Sequence, residues 1–116
     1  VRGKPPDRFF LKPKRGGEMG NSLKSANFLI ESRLRDAARG EITAYYDLGV
    51  AYSTGTAGVQ FDLIEAHKWF NLAAINGDET AQAARAEIAG DMSAREVAIA
   101  QRAARDWLGM LRARAA

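Results

Sequence analysis

Apolar positions recur at steps of three and four along most of this chain. From Ser22 to Arg39 they fall at Leu23, Ala26, Ile30, Leu34, Ala37 and Ala38, the spacing of an amphipathic helix. Tyr45, Leu48 and Tyr52 mark a second helix, and Ala66, Phe70 and Ala73 a third. A shorter stripe of Ala81, Ala84 and Ile88 predicts a fourth over residues 78–90. The fifth, Val97, Ala100, Ala104, Trp107, Leu108 and Leu111, runs nearly to the end. The pattern predicts an all-α chain.

Polar and glycine positions punctuate these stripes where helices must start and stop. Asp62 with Glu65 three residues on is an Asp variant of the capping box, with Phe61 and Ala66 placed as a hydrophobic staple. Asn76-Gly77 closes the same helix, because glycine tolerates the left-handed conformation of a helix C-terminus. Asp78 caps the fourth helix, and Gly90-Asp91 breaks it. Ser93-x-x-Glu96 is a full capping box with Met92 and Val97 as its staple, and Arg112 and Arg114 suit the negative end of the last helix.

The second and third helices carry more than periodicity. Tyr45-x2-Leu48-Gly49-x2-Tyr52 and Ala66-x3-Phe70-x2-Ala73 have the spacing of a tetratricopeptide unit, but the turn between them is longer and holds Gly55 and Gly58. Through Ala44, Leu48, Gly49, Tyr52, Gly55, Asp62, Ala66, Trp69, Phe70, Ala73, Ala74 and Gly77 the stretch 40–77 resembles the Sel-1-like repeat, a longer-turned relative. Gly49, Ala66, Ala73 and Ala74 are placed to let two helices cross closely, where larger side chains would force the axes apart. Ala37-Ala38-Arg39-Gly40 echoes Ala73-Ala74-Ile75-Asn76-Gly77, and Gly40, Thr43 and Ala44 pair with Gly77, Thr80 and Ala81 at an offset of 37. In the later copy Ala84 and Arg85 replace the Leu-Gly pair, the erosion expected of a terminal unit. The resemblance implies a short right-handed α-solenoid of about five helices over residues 21–116, the last of them a capping helix. Around three stacked repeats are usually needed for stability, so modest stability and a homodimer are both expected.

Charge divides the chain. Residues 1–20 hold six Lys and Arg against Asp7 and Glu18, and also Pro5, Pro6 and Pro13; the remaining residues hold 11 basic and 12 acidic side chains. The net +3 therefore belongs to a basic tail, expected to be disordered, and the helical part is near-neutral. Met19, just ahead of the helical pattern, is an alternative native start that would leave residues 1–18 unmade. As a basic arm, with Phe9 and Phe10 among its charges, the tail offers an alternative function in nucleic-acid association. No apolar run approaches the ~20 residues of a membrane span, and no secretory signal opens the sequence, so a cytoplasmic location is expected. With no cysteine there is neither a disulfide nor a thiolate metal site.

Candidate chemistry is sparse. His67 is the one histidine, and Asp62 and Glu65 beside it are better used as a helix cap than as partners of a general base; His67 is expected on the outward side of its helix. Thr54-Gly55-Thr56-Ala57-Gly58 carries no Gly-Lys-Ser/Thr and follows no strand, so it reads as a turn and not a phosphate loop. Neither a cofactor nor a metal is implied, and no catalysis. The repeat resemblance implies a protein or peptide partner bound on a concave face made by first helices. On this chain the residues of that helix off the Tyr45–Leu48–Tyr52 stripe are Thr43, Tyr46, Asp47, Val50 and Ser53. Tyr46 stands out, since tyrosine is enriched at binding hot spots; its alternative role is packing against the neighbouring helix.

Overall fold

The structure, a computed structural model, describes residues 19–115, with side chains from Phe28 onward. Of the tail expected over residues 1–20, residues 1–18 lie outside the described residues, and with them the question of a start at Met19. Among the described residues all regular structure is helical: α1 (Met19–Ala38), α2 (Ile42–Thr54), α3 (Leu63–Ile75), α4 (Glu79–Ala89) and α5 (Ala94–Ala115). Met19 and Gly20 belong to α1, which therefore begins ahead of Ser22.

The helix ends follow local chemistry. Asp62 accepts from the backbone N–H of Ile64 (3.0 Å) and Glu65 (3.1 Å), and Asp78 from that of Ala81 (3.1 Å). The Ser93–Glu96 box is closed in both directions: Ser93 N–H donates to Glu96 Oε1 at 2.8 Å and Glu96 N–H to Ser93 Oγ at 3.1 Å. The Asp62–Glu65 box is closed in one direction only. Asp62 N–H donates to the Tyr52 carbonyl (2.9 Å), tying the turn back to α2, and Glu65 turns to Lys68 instead (3.6 Å).

The C-terminal ends of α1 and α3 share one hydrogen-bond pattern. After α1, Arg39 N–H donates to Asp36 O, Gly40 N–H to Ala37 O and Glu41 N–H to Asp36 O. After α3, Asn76 N–H donates to Ala73 O, Gly77 N–H to Ala74 O and Asp78 N–H to Ala73 O. Each bond maps onto its counterpart at the offset of 37, and Gly40 (φ 82°) and Gly77 (φ 96°) both supply the left-handed residue.

α2 and α3 form an antiparallel hairpin. The Tyr46 ring meets Phe70 at 5.6 Å, while the far end of α2 meets the start of α3 through the Tyr52–Asp62 bond. α1 packs on α2, and α4 and α5 both pack on α3, so α3 lies at the centre of the fold. Its composition explains this. Ala66, Trp69, Phe70, Leu72, Ala73 and Ala74 are all buried, and a helix apolar on several sides has to be enclosed. Each large side chain buried there contributes roughly 1.5–3 kcal/mol. α5 buries Ala100 and Ala104 and brings Trp107 edge-on to Trp69 at 4.9 Å.

Candidate functional site

A recess of about 200 Å³ opens between α1, α2 and the turn that follows α2. Leu29 and Ile30 form one wall and Val50 and Ala51 the other, with Thr56 and Ala57 closing one end. Arg33 and Asp47 bridge it, Nε to Oδ2, at 2.9 Å, with both side chains more than a third exposed. The charges thus compensate one another at the rim, and the walls are apolar. Thr56 is held by a 2.7 Å hydroxyl contact with Thr54, whose own hydroxyl donates to the Val50 carbonyl at 2.8 Å. Ala57 has φ 57°, a left-handed conformation uncommon outside glycine.

The five residues expected on a single open face are dispersed. Asp47 and Val50 line the recess. Thr43 is exposed in the first turn of α2. Tyr46 is half-buried against Phe70, and its phenol pKa is raised by burial first and then by the charges of Asp78 and Asp47. Ser53 is fully buried, its hydroxyl bonded to the Val50 carbonyl at 3.1 Å, so it offers a partner no surface. The periodicity placed Ser53 off the core stripe, but packing buries it. Leu29 and Arg33 were not singled out from the sequence, and Thr56 and Ala57 were read only as part of a turn. The consecutive apolar residues Phe28, Leu29 and Ile30, wider than one helical stripe, were the available signal.

His67 corrects the expectation of an outward side chain: it is 3% exposed. Asn71, one turn further along α3, accepts a 2.5 Å hydrogen bond from Arg85 of α4, which places α4 over this side of α3. Burial, and after it the charge of Arg85, lowers the imidazole pKa from the ordinary 6.5. Lys68 lies with its ammonium 4.3 Å from the Trp69 ring and 5.4 Å from that of Trp107. Such cation–π contacts attract by about 0.5–2 kcal/mol. The ammonium is thus occupied by Glu65 and two indoles.

A second recess lies where the C-terminal ends of α1 and α5 meet, beside Arg39 and Arg114. Cations there complement the helix carbonyls, and Arg39 is also paired with Asp36 at 3.3 Å. Among the described residues no group of three or more His, Asp or Glu side chains converges as metal ligands do, and no helix is long and apolar enough to cross a membrane. The chain matches no family model, no curated protein and no solved structure.

Proposed function

We propose that this chain is a non-catalytic interaction module, a short right-handed α-solenoid of the Sel-1-like kind, which holds a segment of a protein partner in the recess between α1 and α2. The observation that carries this reading is that recess, about 200 Å³ with apolar walls and a self-neutralised ion pair at its rim. Its size suits one or two apolar side chains, and the Arg33–Asp47 pair supplies a donor and an acceptor to the backbone of an extended segment. The repeat reading draws support from the matched helix ends at an offset of 37 and from the antiparallel α2–α3 hairpin. Thr43 extends the surface along α2, and Tyr46 sets its edge.

The test is affinity purification from the native cell, comparing the unaltered chain with Val50→Glu and Leu29→Glu. A protein that binds the unaltered chain, binds again when both are purified, and is lost with either variant supports the reading. A partner retained by both folded variants overturns the placement. Nucleic acid in the eluate that disappears on removing residues 1–20 and on raising the salt moves the function to the basic arm instead.

A further inference from the structure

His67 is the single histidine of the chain and lies at the seam between α3 and α4. It is buried, and its Nδ1 has no hydrogen-bond partner. Buried polar atoms are nearly always paired, so this nitrogen lacks the acceptor that a proton placed on it would need. The helix covering it is short. α4 meets α3 through Ala81, Ala84 and Ile88, two of which bring only a methyl group. Its polar tether is Arg85, bonded to Asn71.

The charges around the imidazole are accounted for. On α3 itself Glu65 and Lys68 pair with one another. α4 brings Arg85, Glu87 and, exposed in its first turn, Glu79, and Asp78 before it caps α4. From α2, Asp47 is tied to Arg33, and from the start of α5 Glu96 closes its own capping box. The other α5 charges, Arg95, Arg102, Arg105, Asp106, Arg112 and Arg114, are exposed. Among all of these Arg85 is the charge that acts on His67, and it is of the wrong sign to hold a second proton.

We infer that the α3–α4 contact is a proton-operated seam: protonating His67 sets a second positive charge beside Arg85 in a dry site and releases α4, while the α2–α3 hairpin stays closed. The direction follows from linkage. With α4 in place, the imidazole binds a proton less readily than its ordinary pKa of 6.5 would give, whereas with α4 released it reaches water. The released state therefore takes up more protons, and it gains population as pH falls below 6.5. Above that value both states are neutral at His67, and the seam is insensitive to pH.

One histidine makes the test clean. In the full chain, NMR follows the imidazole from about pH 7.5 to about pH 5, while amide exchange, corrected for its intrinsic rate, reads the opening of each helix. The expected result is an imidazole midpoint below 6.5, with α4 opening rising as pH falls from 6.5 toward that midpoint and levelling off below it. That rise should exceed severalfold any change in α2 over the same range. His67→Leu should remove the response, and Arg85→Gln should raise the imidazole midpoint and flatten it. The idea is overturned if α4 protection stays level between pH 6.5 and the imidazole midpoint, or if all helices lose protection together. A pH response unchanged in Arg85→Gln overturns it too, whether or not the leucine variant folds.

Discussion

Gly49 of α2 lies directly on the ring of Phe70: a β-carbon at position 49 would come within 2.5 Å of Phe70 Cδ1 and 2.9 Å of Cγ. Phe70 cannot step aside, since it is fully buried and Tyr46 lies against it. Gly49→Ala gains about 0.5–1 kcal/mol of helix propensity, but overpacking a tight core costs about 1–3 kcal/mol. The steric term wins. Gly49→Ala should lower stability by about 1–2 kcal/mol and Gly49→Val by more, read as a fall in the urea midpoint at constant slope. A stabilised Gly49→Ala would mean that α2 and α3 are further apart than described.

Trp107 ties α5 to two other helices. Its indole N–H donates to the Tyr45 hydroxyl at 3.3 Å, and its ring meets Trp69 edge-on. Trp107→Ala should cost about 2–4 kcal/mol, because most of the contact is apolar area, whereas Tyr45→Phe removes one long hydrogen bond and should cost under about 1 kcal/mol. Equilibrium unfolding of both variants checks the ratio. Equal losses would mean that the hydrogen bond, and not the ring, holds α5.

The two helix caps predict a contrast that their similar sequences conceal. Asp62→Ala and Ser93→Ala should each cost about 1 kcal/mol. Glu96→Ala should destabilise more than Glu65→Ala, because Glu96 reaches back to the Ser93 N–H while Asp62 N–H is already held by Tyr52 O. Thermal melts of the four variants decide this.

Ala57→Gly should stabilise the chain, although it removes a methyl group. The left-handed backbone of Ala57 costs a non-glycine residue roughly 1–2 kcal/mol, against about 0.5–1 kcal/mol for the extra freedom of unfolded glycine. A net gain of about 0.5–1 kcal/mol is expected from denaturant titration, and a loss would place the Ala57 methyl in a contact worth more than the strain.

The melting temperature should fall as pH drops below 6.5, and His67→Leu should remove part of that fall. His67 binds a proton less readily in the folded chain than in the unfolded one, so its contribution is complete above 6.5 and declines below it. Calorimetry across that range, with the variant alongside, separates His67 from the carboxylates that titrate lower.

By itself the sequence determined the features governed by neighbours three and four residues apart. The five helices, the caps at Asp62, Asp78 and Ser93 and the left-handed turns at Gly40 and Gly77 all follow from local geometry. A cap or a terminating glycine acts within one turn of its own helix, so its signal is written next to its effect. Tertiary structure alone decided which sides of α3 are covered. His67 and Ser53 are both buried, and the Arg85–Asn71 tether brings α4 onto the His67 side of α3. The Tyr52 carbonyl of α2 also claims the Asp62 N–H that Glu65 would have taken. The recess beside Val50 exists only because α1, distant in sequence, lies against α2. Alanine-based contacts and single long-range hydrogen bonds have little periodic signature, so these decisions become visible only when the helices are packed.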